Sequence, residues 1–329
     1  MSSNVAPATL AALQVPVRAG LDRVQKELRR IVEADFELIR DINSHLLQMQ
    51  GKLFRPTILL LADQATGGPR PRAVTHAAVV ELIHLATLVH DDSVDHSVLR
   101  RGMPTINALF SHQVSVIMGD YLYSRAVVEL VRLGDMEPLR VLGRVTNEMT
   151  VGEMRQLLAH DRMNFSEAQY DLLIRSKTAS LLSGAAEVGG LDAPAEQRAA
   201  LRRFGDALGM AFQIVDDLLD YTEDAAVMGK PSGSDLREHK LTLPLIAALP
   251  RMTEAERRAV ERLLNAPHPS DDEIANVIDA VARAEGLDYA RDRAQQLGEQ
   301  ADAELDHLSP SPARDALRAS IAYVLDRRQ

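Results

Sequence analysis

Two short stretches carry the residues whose types and spacing could do chemistry. "LVHDDSVDHS" sets Asp91, Asp92 and Asp95 behind an apolar segment, and "FQIVDDLLDY" repeats the spacing with Asp216, Asp217 and Asp220. On a helix, residues four apart share a face, so each set projects three carboxylates from one patch. Two like charges about 4 Å apart repel by roughly 4 kcal/mol at an effective dielectric of 20, so such a patch must be solvated, protonated or bridged by cations. A single D-D-x-x-D in a chain that is 26% charged reads most simply as a solvated turn. A second copy, again behind an apolar helical run, reads instead as acids at the mouth of a core cavity. Two facing sets of hard carboxylate oxygens suit Mg²⁺, which keeps waters and takes further ligands from phosphates.

Basic residues elsewhere suggest what the metal would hold. "GKLFRP" places Lys52 and Arg55 just before an apolar helix expected from about Pro56, where free N–H groups and the helix dipole favour anions. Arg100 and Arg101 follow the first triad, Lys177 sits in "RSKTASLL", and Lys230 and Lys240 lie in the polar interval 222–240. Carboxylates with a basic fringe read as a diphosphate site bridged by Mg²⁺.

The elements that must position these groups read as helices. The 329 residues are 46% hydrophobic but only 4% aromatic, without Trp, which favours close-packed helices of Leu, Val, Ile, Ala and Met. Apolar residues recur at helical spacing, as at Leu208, Ala211, Phe212, Val215 and Leu219. Neither Asn-Gly nor Asp-Gly occurs, so the strongest hairpin signals are missing. Breakers at 66–71, 101–104, 189–190, 266–270 and 309–312 divide the helices, and Ser166/Gln169, Thr253/Glu256 and Ser270/Glu273 have the capping-box spacing. The expectation is an all-α fold: a short flexible tail over 1–15, then one domain over 16–329 of about ten or more helices around a central apolar cavity. A polar loop as long as 222–240 inside such a domain is usually functional or disordered.

The absence of Cys excludes disulfides and thiolate chemistry and fits a cytoplasmic location. A formal charge of −10 argues against nucleic acid as a partner. The N-terminus resembles neither a secretory signal nor a transit peptide, and no run of about twenty apolar residues suggests a membrane span, which leaves peripheral membrane contact open.

Taken in order, "GKLFRP", "ELIHLATLVHDDSVD", "LRRGMPT", "GDYLYSRA", "KTASLL", "FQIVDDLLDY" and "GKPSGSDLREHKLTLPLI" resemble the trans-prenyltransferases, specifically the all-E polyprenyl diphosphate synthases of the long-chain octaprenyl and solanesyl type. The resemblance runs from about residue 50 to 250. It implies a chain-elongating enzyme that condenses an allylic diphosphate with isopentenyl diphosphate, works as a homodimer, and uses several Mg²⁺ ions, three with substrate bound. On this resemblance Asp91, Asp92, Asp95, Asp216, Asp217 and Asp220 hold Mg²⁺ on the allylic diphosphate. Lys52, Arg55, His84 and Arg101 take isopentenyl diphosphate, while Arg100, Lys177, Gln213, Lys230 and Lys240 take the allylic diphosphate. Thr178 helps stabilise the carbocation. Gln50 departs from the pattern, where many members have Gly.

Product length would be read below the first triad. On a helix Thr87 lies one turn beneath Asp91, Ile83 one turn deeper and Ala86 alongside. Short-chain members commonly put an aromatic ring here as a floor; Ala86 and Thr87 are small, so the product should exceed farnesyl length. The alternatives are a farnesyl or geranylgeranyl diphosphate synthase, a terpene cyclase of the same fold, a non-catalytic partner subunit and, more remotely, a di-iron bundle using the Glu-x-x-His spacings at 81–84 and 304–307.

Overall fold

The computed structural model describes residues 9–49, 51–158, 162–222 and 233–327. It is all-α, and its buried apolar residues form one continuous core from Val17 to Val324. The helices that position the site are α4 (Phe54–Ala65), α5 (Pro71–Val94), α7 (His112–Leu133), α8 (Met136–Leu158), α9 (Glu167–Ile174), α10 (Ser180–Gly189) and α11 (Ala195–Thr222). Smaller or outer elements complete the bundle: α1 (Leu10–Gln14), α2 (Arg18–Ile31), α3 (Glu37–Gln48), α6 (Ile106–Leu109), α12 (Ser234–Arg237), α13 (Leu243–Ala248), α14 (Glu254–Asn265), α15 (Asp271–Arg283), α16 (Gly286–Glu304) and α17 (Pro312–Leu325).

Every residue of α10 is buried, with the polar groups of Ser180, Ser183 and Glu187 taken up by hydrogen bonds, and it packs against α4, α8 and α11. Small residues make that seam close. A Cβ at Gly205 would lie 2.7 Å from the Leu182 carbonyl oxygen, and one at Gly209 2.5 Å from the Ala179 Cα. The contact fixes α11, and with it the second acidic triad, against the core. By length and composition α5 could cross a membrane, yet 67% of its apolar window is buried inside the protein, where it packs on α2, α4 and α7.

All three capping boxes form as their spacing predicts. Two expectations need correction. Residues 9–15 are not a flexible tail: Thr9 caps α1, and Leu13 is buried where α1 packs on α17. The segment 101–104 is more than a breaker, because Leu99–Arg100 pairs antiparallel with Met103–Pro104 through a two-residue turn. Arg101 and Gly102 both have positive φ (51° and 75°), the conformation such a turn needs to match strand twist. An Arg in that role gives no strong sequence signal.

Candidate active site

Both acidic triads end long helices. Asp91 and Asp92 lie in the last turn of α5 with Asp95 as its C-cap, and Asp216, Asp217 and Asp220 occupy the last two turns of α11. The C-terminal end of a helix carries partial negative charge, so carboxylates there are unfavourable unless cations arrive. Neither helix has a basic residue in its last turn. The compensating charge comes from other elements.

At the first triad, Arg100 on the hairpin donates through Nε to both oxygens of buried Asp92 at 2.9 Å. Lys177 approaches Asp91 at 3.8 Å and pairs with Glu153 of α8 at 2.7 Å. Burial, chiefly, pushes the Asp91 carboxyl up to about 6 against the pull of Lys177. Lys177 and Thr178 lie in a π turn, Arg175–Ala179, inserted between α9 and α10. Such turns concentrate at functional sites because they re-aim side chains out of an α-helical ladder. Gly152 lets α8 cross this turn closely: a Cβ there would sit 2.7 Å from the Ser176 Cβ.

The second triad is held mostly by neutral donors. Asp217 accepts from the Tyr170 hydroxyl at 2.6 Å and from the Gln213 amide at 2.8 Å, and Thr178 donates to the Gln213 carbonyl oxygen at 2.8 Å. The oxygens of Asp220 accept from the backbone N–H groups of Ser234 (3.0 Å) and Asp235 (2.9 Å), tying α11 to the start of α12. Exposed Asp216 pairs with Arg327 at 3.2 Å, and that guanidinium also lies 4.5 Å over the Phe212 ring. Burial and the nearby Asp235 hold the Asp217 carboxyl well above the usual range. Asp235 itself is pushed up to about 7 by burial and by Asp220, with Lys240 opposing.

Asp95, Asp217, Lys177, Thr178, Gln213 and Lys240 line one cavity of about 1090 Å³, so it joins the two triads and part of the basic set. Leu157, Phe165, Ile174 and Leu264 give it an apolar wall. The expected isopentenyl set forms a neighbouring cluster. Arg55 and Arg101 lie close enough to buried Glu81 to feel its charge; burial and these two arginines keep His84 well below the usual imidazole range, hence neutral. Arg101 donates to the Met49 carbonyl at 2.7 Å and covers Gly51, where a Cβ would meet its guanidinium at 2.6 Å. Lys52 is exposed at the entrance to α4. Lys230 and Gln50 lie outside the described residues.

The residues named for chain length do not line the cavity. Ile83 and Ala86 are buried, and half-buried Thr87 turns its hydroxyl back to the His84 carbonyl at 2.8 Å. The two Glu-x-x-His spacings do not pair either. Glu304 is bound by Arg203 at 2.7 Å, His307 by Glu196 at 3.2 Å, and residues 305–307 form a 3₁₀ turn. Glu153, Tyr170, Asp235 and Arg327 were not singled out from sequence. Asp235 stood inside a quoted motif, and a tyrosine on an apolar helix face calls for a buried partner; Glu153 and Arg327 gave no such signal.

The donor set fits a divalent cation. Among the described residues no three carboxyl or imidazole groups converge tightly enough to enclose an ion. Two incomplete carboxylate sets across a cavity suit an ion that completes its shell with water and phosphate oxygen.

The sequence pattern of the polyprenyl synthetase family matches residues 36–281. Octaprenyl diphosphate synthase of Escherichia coli (strain K12) is 38% identical over 304 residues, covering 90% of this chain and 93% of that one. The crystal structure of a decaprenyl diphosphate synthase from Rhodobacter capsulatus superimposes with a TM-score of 0.92 at 36% identity, covering 98% of this chain and all of that one. A polyprenyl synthase from Caulobacter crescentus, complexed with calcium and isoprenyl diphosphate, gives 0.93 at 31% identity over 99% and 100%. On this family match, identity and shared fold, the protein belongs to the polyprenyl synthetase family and is an all-α enzyme that transfers prenyl groups.

Proposed function

We propose that the enzyme is a Mg²⁺-dependent, long-chain all-trans polyprenyl diphosphate synthase that adds isopentenyl diphosphate to an allylic diphosphate beyond the farnesyl stage. The observation that carries it is the single cavity in which Asp95 and Asp217 face Lys177 and Lys240 beside an apolar wall. The relatives' names, octaprenyl and decaprenyl diphosphate synthase, support the length.

Asp91, Asp92, Asp95, Asp216, Asp217 and Asp220 would hold Mg²⁺, three ions with substrate bound, which would supply the positive charge that makes diphosphate a leaving group. Lys177, Lys240 and Arg100 bind the allylic diphosphate and stabilise the charge that grows on it. Thr178 presents its oxygen to the allylic carbon, and the apolar wall excludes water that would quench a cation. Lys52, Arg55, Arg101 and neutral His84 hold the second diphosphate so that the isopentenyl double bond lies within reach. The released diphosphate takes the final proton, so no side-chain base is required.

The working unit is a homodimer. Ile117, Val128 and Val131 of α7, with Val151 and Met154 of α8, expose an apolar surface of the kind that subunit contacts cover. Light scattering should give twice the 36.1 kDa chain mass.

Incubation with Mg²⁺, labelled isopentenyl diphosphate and each allylic primer, followed by sizing of the dephosphorylated products, tests the reading. Products longer than farnesyl that vanish with EDTA are expected. A product that stops at farnesyl, a cyclic hydrocarbon, or full turnover in EDTA would refute it.

A further inference from the structure

Tyr170 is 1% exposed, stands on α9 with its hydroxyl against the second triad, and is not required by the prenyl-transfer steps above. Its hydroxyl starts a chain of hydrogen bonds that has only one consistent direction. The ionised form of Asp217, the form that can hold a cation, can only accept, so in that state Tyr170 donates to one of its oxygens and Gln213 must turn its NH₂ to the other. The Gln213 carbonyl then faces Thr178, which must give it its hydrogen at 2.8 Å. With its hydrogen committed, the Thr178 oxygen keeps its lone pairs for the cavity that it lines.

We propose that Tyr170 is a positioning residue: it locks the Asp217 carboxylate for divalent-cation binding and, through Gln213, fixes the direction of the Thr178 hydroxyl. The first half concerns cation binding alone; the second rests on the prenyl-transfer reading. Buried donors that hold a ligating carboxylate commonly change metal affinity or activity by about 10- to 100-fold when removed. Both oxygens of Asp217 are held, so its plane is set before any cation arrives.

The test measures Mn²⁺ binding by electron paramagnetic resonance without substrate, in wild type, Tyr170→Phe, Gln213→Met and the double variant, beside thermal melting of each. Tyr170→Phe should weaken Mn²⁺ binding about tenfold or more with melting kept within a few degrees. The double variant should lose less than the product of the single losses, because both residues hold one carboxylate. Unchanged Mn²⁺ affinity in Tyr170→Phe, or fully multiplicative losses, overturns the proposal. If Tyr170→Phe does not fold, Gln213→Met decides alone, and wild-type Mn²⁺ affinity there overturns it. For the second half, a cycle of Tyr170→Phe with Thr178→Val on kcat at saturating Mg²⁺ should be non-additive, and additivity removes that half. A wild-type protein that makes no prenyl product but shows the Mn²⁺ losses would sink the functional reading and leave the positioning role of Tyr170 standing.

Discussion

The two acidic triads share one sequence pattern and one place, the C-terminal end of a long helix, yet the fold treats them differently. At the end of α5 the carboxylates meet full positive charges: Arg100 grips Asp92 and Lys177 approaches Asp91. At the end of α11, among the described residues, buried Asp217 accepts from a phenol and an amide, Asp220 accepts from backbone N–H groups, and exposed Asp216 pairs with Arg327. Hydrogen bonds from neutral donors orient a carboxylate without cancelling its charge. Without a bound cation, burial and Asp235 therefore hold the Asp217 carboxyl well above the usual range, whereas at the first triad Arg100 and Lys177 bring positive charge from the protein itself.

The comparison would break if the triads were not both needed. Asp91→Ala and Asp217→Ala should each lower turnover by about 10³-fold or more, since each removes charge stabilisation felt in the transition state. Steady-state rates at saturating Mg²⁺, with circular dichroism to check the fold, measure this. Near-normal turnover in either variant would mean that one triad is structural.

Stability should separate the triads in sign. Arg100→Ala strands buried Asp92 without its partner and should cost about 3 kcal/mol, the usual penalty for breaking a buried pair. Asp217→Asn removes a carboxyl whose ionisation burial opposes, so it should raise the unfolding free energy of the metal-free protein at alkaline pH while abolishing activity. Urea unfolding of both variants in EDTA reads the two directions directly. Destabilisation in both cases would show that ionising Asp217 costs the fold nothing.

Asp91 and Asp235 hold their protons more tightly in the fold than in the unfolded chain. Their stabilising contribution is thus fully present below about pH 4. It is lost as pH rises through about 6 at Asp91 and about 7 at Asp235. In EDTA, melting temperature should therefore fall between pH 5 and pH 8, and Mg²⁺ should reverse part of the fall. Asp235→Asn should flatten the upper part of the curve.

The smallest effect on turnover should come from the residues beneath the first triad. Ala86 and Thr87 stand outside the cavity walls, so only a chain that runs on beneath the first triad would meet them; Ala86→Phe or Thr87→Phe should then shorten the product by at least one isoprene unit with kcat within about tenfold of wild type. Gly209→Ala, at the α11 seam with Ala179, should lower stability without changing length. Mass spectrometry of the products distinguishes the two sides, and unchanged length in both α5 variants would place the tunnel elsewhere.

Much of this was legible in the sequence because it is local. The period of apolar residues gives α5 and α11, the capping boxes give the starts of α9, α14 and α15, and the repeated D-D-x-x-D gives the metal chemistry. The Arg101–Gly102 turn, the π turn under Lys177 and Thr178, and the burial of Leu13 were not legible, since each depends on a neighbour remote in sequence or on a conformation with weak residue preference.

By itself, then, the sequence determined the helical class, the ligand types and their spacing, since those follow from side-chain chemistry and the 3.6-residue period. Only the tertiary structure decided which carboxylate meets a cation of the protein itself and which is buried among neutral donors. Asp92 and Asp217 occupy the same motif position, but Arg100 is eight residues from one and Tyr170 forty-seven from the other. Folding brings a guanidinium to the first and a phenol to the second, and a partner's charge and distance, not the motif, set a buried carboxylate's electrostatics.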